Sequence, residues 1–426
     1  MKTIIEPQRE IPVAGEYDVL VLGAGPAGIG AAVSAARMGV KTLLIENGSD
    51  VGGVATIGLM SHWTGKTQGG IYQEILELTS DDESQRQTIN PERLKTKLLE
   101  MLKDAGAEVL LYTMAVQPVM DGNTITGVIC ESKSGRQAYM GKIVIDSTGD
   151  GDIAARSGVP YIKGRETDGK MQPMTLMFKI AGVDTENAVF LGSFESTYQT
   201  ERGELQQLAK EHLPHPAGHV LLYRSTLPGV VTVNMTNSIS VDGCSNRDLT
   251  EATITCRKQM DIIVDFLREY VPGYQNCYII SSASLIGVRE TRHFSGEYTL
   301  TEQDILDAKV FDDYIATRCH FNFDVHNISG ASLDKTGLQF GFPQQRGYTI
   351  PYRSILPQKI DNLLLAGRNI SGTHMAHSSY RVMPICANVG QGAGIAAALC
   401  AKLNQTPREL DYAVIRKELD RLGIRP

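Results

Sequence analysis

The chain has 426 residues, of which 42% are hydrophobic and 21% charged, and its formal net charge is −7. This length predicts two domains, and the acidic balance argues against a nucleic-acid or anionic-membrane partner. Its seven cysteines are scattered without a CxxC pair, which indicates reduced thiols and no metal or iron–sulfur site. No signal peptide precedes the first strand and no long apolar run occurs, so we expect a cytoplasmic protein without a membrane partner.

The first predicted element is a buried strand over residues 19–22, "VLVL", which leads into a glycine turn. Gly23, Gly25 and Gly28 follow with GxGxxG spacing. In such a motif the first glycine permits the tight turn, the second lets the backbone approach a pyrophosphate, and the third lets the next helix lie close to the strand. That helix, over residues 26–38, offers free N–H groups and a positive dipole end to the phosphate.

A second strand over residues 42–45 ends in Glu46, at the position where an acid accepts both ribose hydroxyls of a dinucleotide. Strand, turn, small-residue helix, strand and acid in this order are far more specific than the glycine motif alone. The alternative is a glycine-rich turn in an α/β protein that binds no nucleotide. The residues predict an α/β fold with a dinucleotide site, and they leave NAD and FAD both open.

A long loop, "NGSDVGGVATIGLMSHWTGKTQGGIYQEI", follows Glu46 where a simple NAD dehydrogenase would return at once to a helix. This loop resembles that of the bacterial FAD-dependent oxidoreductase family of the glutathione-reductase-like flavoproteins. Five further stretches resemble the same family, at residues 90–113, 144–158, 287–305, 348–357 and 362–400.

The resemblance implies a Rossmann-like FAD-binding domain, with a parallel sheet and a β-meander, that is interrupted by an inserted α+β substrate domain. The expected FAD-binding domain covers residues 1–165 and 345–426, and the expected substrate domain covers residues 166–344. The meander is expected at 116–120 and 124–130, around a turn at residues 121–123.

The resemblance also implies which residues contact FAD. The expected set is Gly23, Gly25, Pro26, Ala27, Gly28, Glu46, Asn47, Gly52, Gly53, Val54, Thr56, Val116, Thr148, Gly149, Asp150, Gly367, Arg368, Asn369, Met383 and Pro384. Arg368 stands where many distant relatives carry an acid that binds the ribityl chain, so this contact is expected from the backbone or from Asn369. We expect non-covalent FAD, with covalent attachment through His62 as the alternative, because the surrounding loop resembles that of the succinate dehydrogenase flavoprotein.

The stretch 373–400, "THMAHSSYRVMPICANVGQGAGIAAALC", contains the first catalytic candidates. The resemblance implies a helix that starts near Pro384 and aims its positive end at the flavin ring. Its glycines are expected to let the backbone pack against the cofactor or a strand. His377, and after it His374, is the candidate base that takes a substrate proton. The alternative is that these imidazoles only bind the flavin or cap the loop. Arg381 is expected to bind a substrate oxyanion, or else to neutralise the phosphates or a buried acid.

Two more arginines complete the candidate set. Arg289 and Arg292, in "RETRH", are three residues apart and would share one face of a helix that points at the cofactor. The alternative is a solvated helix face in which Glu290 pairs the arginines.

These residues predict an FAD-dependent oxidoreductase that passes a hydride between flavin N5 and a small polar substrate, hydroxylated or anionic, with an unspecified electron acceptor. The main alternative is a flavoprotein subunit that relays electrons to a separate iron–sulfur partner, as in heterodisulfide-reductase-type assemblies. An RNA-modifying flavoprotein of the glucose-inhibited division type conflicts with the acidic charge, and a thiazole-synthase-like NAD protein conflicts with the long loop. The oligomeric state, including a homo-oligomer, is left open.

Overall fold

The computed structural model describes residues 2–80, 83–332, 334–337, 342 and 346–426, which form ten α-helices and seventeen strands. The helices are α1 (Pro26–Arg37), α2 (Gly70–Thr79), α3 (Pro91–Ala105), α4 (Asp152–Arg156), α5 (Leu205–His212), α6 (Asn246–Tyr270), α7 (Glu302–Leu306), α8 (His374–Tyr380), α9 (Met383–Leu403) and α10 (Tyr412–Arg421). The strands are β1 (Val13–Leu22), β2 (Thr42–Ile45), β3 (Glu108–Leu110), β4 (Met114–Asp121), β5 (Thr124–Ser132), β6 (Gly135–Asp146), β7 (Tyr161–Lys163), β8 (Phe178–Ala181), β9 (Gln199–Thr200), β10 (Gly203–Glu204), β11 (Leu222–Arg224), β12 (Val231–Val233), β13 (Tyr278–Ser282), β14 (Arg292–Phe294), β15 (Tyr314–Cys319), β16 (Tyr348–Pro351) and β17 (Leu363–Leu365).

A seven-stranded sheet in the order β3-β2-β1-β6-β5-β4, with β17 also on β6, forms the centre of the fold. Strands β3, β2, β1, β6 and β17 are parallel, whereas β4, β5 and β6 form an antiparallel meander. Leu22 lies beside Asp146, and Asp146 lies beside Leu365, so β1, β6 and β17 end at one edge of the sheet. The predicted Rossmann-like α/β fold with a meander is confirmed.

Helix α9 crosses α1 at backbone contact. A Cβ at Gly390 would lie 1.9 Å from the Ala27 carbonyl oxygen, and a Cβ at Gly394 would lie 2.2 Å from that of Ala31. A Cβ at Gly392 would lie 2.5 Å from the Cβ of Ile315 in β15. The glycines of this helix therefore pack against helix α1 and against a strand. We expected them to pack against the cofactor or a strand.

Helix α9 is long and apolar enough to cross a bilayer by length and composition, with a mean hydropathy of 1.3 over its most apolar window. Of that window, 94% is buried within the protein, as befits a core helix. Helix α10 follows it along the chain.

The buried apolar side chains form two clusters. The larger cluster draws on residues 17–159 and 294–424 and covers the seven-stranded sheet. The smaller one draws on Leu59 and residues 174–286, and it packs α5 and α6 on the sheet β11-β12-β8-β13. We refer to these parts as the sheet unit and the inserted unit. The predicted domain boundary at 344–345 lies outside the described residues.

Candidate active site and cofactor groove

The turn after β1 is built by glycines that the protein itself requires. Gly23 has φ +93°, a left-handed conformation that favours glycine, and its N–H donates to the Ile45 carbonyl at 2.7 Å. A Cβ at Gly28 would lie 1.8 Å from the Gly23 carbonyl oxygen. Strand, turn and helix α1 therefore fit together only when both positions carry glycine.

Gly25 differs from these two glycines, because no contact in the described structure requires it. Its φ of −68° suits any residue, and a Cβ there would have no atom of the described residues within 4 Å. The open space lies at the N-terminus of α1, where Gly25 itself occupies the cap position. This space adjoins the unpaired N–H groups of the helix N-terminus, and a single added methyl group would begin to fill it. Such a space fits a pyrophosphate.

The loop that follows Glu46 folds back against this turn. Gly52 N–H donates to the Ala24 carbonyl at 2.7 Å, and a Cβ at Gly53 would lie 3.1 Å from the Gly25 Cα. The Glu46 carboxylate accepts hydrogen bonds from Ala24 N–H at 2.7 Å and Gly48 N–H at 2.6 Å. These contacts fix the acid at the end of β2, where a dinucleotide presents its ribose.

Other expected contacts along this loop have different surroundings. Asn47 is exposed, whereas the buried Thr56 hydroxyl donates to the Val51 carbonyl at 2.6 Å and so stabilises the loop itself. Val54 and, in β4, Val116 are partly buried. Their contacts with a cofactor stay predictions.

Two further turns lie at the same edge of the sheet, after β6 and after β17. In the first, Asp150 Oδ1 accepts a hydrogen bond from Arg368 Nη2 of the second at 3.0 Å. Asn369 donates its Nδ2 to the Asp146 carbonyl at 2.9 Å. Arg368 Nη1 and Asn369 Oδ1 are buried without a hydrogen-bond partner among the described residues. Such orphaned polar atoms beside the glycine turn fit a polar cofactor.

The remaining expected cofactor residues line the same edge. Thr148 donates its hydroxyl to Asp146 at 2.7 Å, and a Cβ at Gly149 would lie 2.7 Å from Arg368 Nη2. A Cβ at Gly367 would lie 3.2 Å from the Cβ of Ala27. Pro26 starts α1, and Met383 and Pro384 start α9, whose first turn has no side-chain cap. We call this edge the cofactor groove.

Beside the groove, Glu290 is fully buried and accepts hydrogen bonds from two imidazoles. Its Oε1 accepts from His293 Nε2 at 2.8 Å and from His374 Nδ1 at 2.5 Å, while its Oε2 accepts from Gln172 N–H at 3.0 Å. The His377 ring stands edge-on to His293, with centroids 4.8 Å apart. We call Glu290, His293, His374 and His377 the Glu290 cluster.

Charge in this cluster is concentrated on the carboxylate. Burial alone would raise the pKa of Glu290, but the hydrogen bonds from His293 and His374 outweigh it and hold that pKa well below its usual range. Burial, with His293 close by, lowers the pKa of His377 well below 6.5, so its imidazole is neutral at pH 7. His377 Nδ1 has no hydrogen-bond partner among the described residues.

Ligand atoms of Glu290, His293 and His377 lie within 4.8 Å of one another, a spacing at which a metal ion could be held. The carboxylate is already satisfied by two imidazole donors and one backbone donor. A proton-binding role therefore fits the cluster better than a metal site.

The helix expected for the segment 289–293 is wrong. Residues 288–291 are not helical, and Arg292 begins strand β14. Gly287 exchanges both of its backbone hydrogen bonds with Thr175, at 2.8 and 3.2 Å, so these groups are unavailable to a helix. In an extended segment Arg289 and Arg292 do not share a face.

The two arginines reach different places. Arg292 Nη1 donates to the Asp150 carbonyl at 2.7 Å and to Asp152 at 3.0 Å, and so joins β14 to the turn after β6. Arg289 instead reaches into the junction of the two units, where its Nη1 donates to the Pro173 carbonyl at 2.6 Å. The expected pairing of the arginines through Glu290 does not occur, because that carboxylate binds histidines.

Arg381 lies at the C-terminal end of α8 and binds a partly buried acid, Asp324. Its Nη2 donates to the Asp324 carbonyl at 2.9 Å and to Asp324 Oδ2 at 3.1 Å. His326 Nε2 lies 3.2 Å from the same carboxylate oxygen. Burial would raise the pKa of Asp324, but His326 and Arg381 hold it below its usual range.

Sequence reasoning missed several residues of this junction, notably His219, Asp324 and His326. The only local signal was the spacing of Asp324 and His326, which are two residues apart and share a face in an extended segment. His219 had no signal, because only the fold brings it to the Phe194 ring that also contacts His326.

His62 stands beside the inserted unit. Its ring centroid lies 4.9 Å from that of Tyr223, and its Nδ1 lies 2.7 Å from Ser61 Oγ. Covalent attachment of FAD at His62 stays a prediction to be tested.

Comparison with known proteins agrees with these features. A family model described as FAD dependent oxidoreductase matches residues 18–419. The chain is 30% identical over 155 residues to a digeranylgeranylglycerophospholipid reductase from Picrophilus torridus, covering 31% of this chain and 39% of that protein. It is 31% identical over 147 residues to a thiamine thiazole synthase from Methanococcus vannielii, covering 32% of this chain and 56% of that protein. The matches thus span less than two thirds of either relative.

Among solved structures, a geranylgeranyl bacteriochlorophyll reductase-like protein from Thermoplasma acidophilum superposes with a TM-score of 0.50 at 14% identity, covering 96% of this chain and 83% of that one. GidA from Aquifex aeolicus gives a TM-score of 0.50 at 16% identity, covering 92% of this chain and 65% of that one. At these identities the likeness shows a shared fold alone.

Proposed function

The chain belongs to the FAD-dependent oxidoreductase family and is an FAD enzyme, and from this premise we propose that it moves a hydride between FAD and a small polar substrate. The substrate is hydroxylated or anionic and binds where the inserted unit meets the cofactor groove. The observation that carries the proposal is the Glu290 cluster, a buried set of proton-binding groups beside that groove.

The chain's own residues fit FAD at both ends of the groove. Gly25 leaves room for the phosphates, and Glu46 stands where the ribose hydroxyls would reach it. Arg368 Nη1 and Asn369 Oδ1 are free to bind polar atoms along the cofactor. When bound, FAD supplies a centre that accepts or donates a hydride.

Hydride removal from an alcohol carbon leaves a proton on the hydroxyl group that some residue must take up. His377 is neutral at pH 7 and its Nδ1 has no hydrogen-bond partner within the described ranges, so it is our first candidate for this base. Its low pKa makes it a weak base unless a nearby anion stabilises the imidazolium, and the Glu290 carboxylate raises that pKa.

His374 is the second candidate, with a different role. Its Nδ1 binds Glu290, and its backbone N–H donates to Glu166 at 2.7 Å, so the imidazole is held in one orientation. A carboxylate bound to one ring nitrogen fixes the tautomer and the orientation of the imidazole. The proposal assigns His377 to the substrate and His374 to sharing the proton with Glu290.

Anaerobic flavin reduction tests this function. The purified protein should be yellow, and its colour should bleach when one class of compound is added from a panel of hydroxy acids, dicarboxylates, sugars and amino acids. Bleaching by one class at a saturating rate supports the proposal. Colour that persists with every compound and bleaches only with a reduced iron–sulfur protein would overturn it in favour of an electron-relay subunit.

A further inference from the structure

We infer that the substrate carries a carboxylate and that Arg289 binds it, within a pocket formed by both units. This inference rests on the proposed function and deepens it, since it chooses an acid over a neutral hydroxylated compound. We propose that this pocket lies around Arg289, among the groups that interact with it electrostatically, which are His219, Tyr223, Asp324, His326 and Arg381.

Arg289 is a partly buried cation that pairs with no carboxylate in the part of the chain that the structure describes. Its guanidinium makes one hydrogen bond, to the Pro173 carbonyl, and it forms no ion pair among the residues that the structure describes. A guanidinium has five N–H donors in a planar fork that matches a carboxylate. Most of these donors are therefore left for a ligand.

Neighbouring arginines show what is missing at Arg289. Arg292 pairs with Asp152 at 3.0 Å, Arg368 with Asp150 at 3.0 Å, and Arg381 with Asp324 at 3.1 Å. Each of the three has its own acid, whereas Arg289 has none among the described residues.

The charges in the pocket leave a surplus of one positive charge. Asp324 offsets Arg381, and burial together with the Arg381 charge lowers the pKa of Arg289 only to about 10, so Arg289 stays protonated at pH 7. Burial lowers the pKa of His219 to about 3 and that of His326 to about 4, so both imidazoles are neutral there. A monoanion would balance the pocket.

The walls suit a small molecule that has polar groups besides its carboxylate. Phe194 lies 4.9 Å from the His219 ring and 5.1 Å from the His326 ring, which fixes both imidazoles. His219 Nε2 is bound to the Asn234 carbonyl at 3.0 Å, and its Nδ1 has no partner among the described residues. Arg381, at the C-terminal end of α8 and two residues before Met383, where α9 begins, donates to the Asp324 carbonyl.

The experiment compares Arg289→Gln and Arg289→Lys with the wild-type holoenzyme. Arg224→Gln is the matched control, because Arg224 is an exposed arginine that follows Tyr223 on β11 and covers the Phe190 ring at 3.9 Å. Rates of anaerobic flavin reduction are measured against concentration for glycolate, lactate and malate, and for the neutral glycolamide and lactamide. FAD content and melting temperature are recorded for each variant.

We expect wild-type flavin to be reduced by a hydroxy acid and poorly by its amide. Arg289→Gln should raise the half-saturating concentration of that acid about 100-fold, because a charged hydrogen-bonded pair is lost, with a smaller change in the limiting rate. The half-saturating concentration for Arg289→Lys should lie between those of the wild type and Arg289→Gln. That of Arg224→Gln should match the wild type. Equal reduction by acid and amide in the wild type, or an Arg289→Gln variant that keeps the wild-type preference for the acid, would overturn the inference.

Malonate and malonamide separate this inference from the proposed function, because neither is expected to reduce flavin. Their binding is followed by the change in the flavin absorption spectrum. If no compound reduces the flavin but malonate binds the wild type and not Arg289→Gln, the proposed function fails and the carboxylate site stands. If neither malonate nor any hydroxy acid binds, Arg289 is not a carboxylate receptor.

Discussion

The glycine turn of the cofactor groove and the Glu290 cluster differ in how far apart their parts lie along the chain. In the turn, Ala24 N–H reaches Glu46 across 22 residues. In the cluster, Glu290 binds His374 across 84 residues and Gln172 across 118. The turn is therefore a property of one strand–turn–helix–strand unit, whereas the cluster exists only when distant segments of the chain are brought together. The two should fail independently when residues are changed.

The largest expected effect comes from comparing two glycines of the groove, one needed for packing of the protein and one needed for FAD binding. Gly28→Ala places a Cβ 1.8 Å from a carbonyl oxygen, so we expect loss of soluble folded protein. Gly25→Ala meets no protein atom within 4 Å, so we expect an unchanged melting temperature for the apoprotein. Its FAD affinity should nevertheless fall roughly tenfold or more, because the methyl group enters the phosphate space.

Fluorescence titration of the apoprotein with FAD and a thermal melt measure both quantities. Gly122→Ala is a control on protein stability, since its Cβ also meets nothing within 4 Å but its φ of +58° strains an added side chain. Unchanged FAD affinity in Gly25→Ala would contradict the position of the pyrophosphate.

Glu290→Gln removes the charge from the assembled site and leaves the groove intact. We expect FAD to be retained and the limiting rate of flavin reduction to fall between about 10-fold and 100-fold, because no anion then stabilises a protonated imidazole. Its pH–rate profile should also shift, which a purely structural loss would not cause. Glu211→Gln, an exposed change in α5, is the matched control. If Glu290→Gln lost its bound FAD as well as its rate of flavin reduction, the groove and the cluster would not fail independently.

The smallest expected effect concerns acid stability of the inserted unit. Burial lowers the pKa of His219 from 6.5 to about 3, so between these values the unfolded chain binds a proton that the folded chain does not. Stability should therefore fall as the pH drops below 6.5, by up to about 1.4 kcal/mol per pH unit from this group.

Thermal melts of the holoenzyme from pH 8 to about pH 5 measure this slope. His219→Gln keeps a donor for the Asn234 carbonyl and cannot be protonated, so its melting temperature should fall less over the same range. Equal slopes in the two proteins would show that His219 is not a neutral buried group.

The glycine turn of the groove could be predicted from the sequence because its requirements are local. Gly23 needs a left-handed φ, Gly28 needs contact with its own turn, and Glu46 ends the next strand. The Rossmann-like fold with its meander followed from the same stretch and from family resemblance.

The cluster could be predicted only in part. His374 and His377 stood out as a pair before a helix, but the acid that binds His374 was read as a partner for arginines. The three-residue spacing of Arg289 and Arg292 is compatible with a helix, where the two arginines share a face, and with an extended segment, where they do not. The backbone pairing of Gly287 with Thr175 selects the extended segment. His219 and Asp324 reach the junction through tertiary packing alone.

The most direct test of the catalytic assignment is anaerobic flavin reduction in His377→Ala, with the compound that bleaches the wild type. The account predicts that FAD remains bound at full occupancy and that the limiting rate falls about 100-fold, since the substrate proton has lost its acceptor. A variant that keeps its FAD and reduces it at the wild-type rate would show that His377 is not the base.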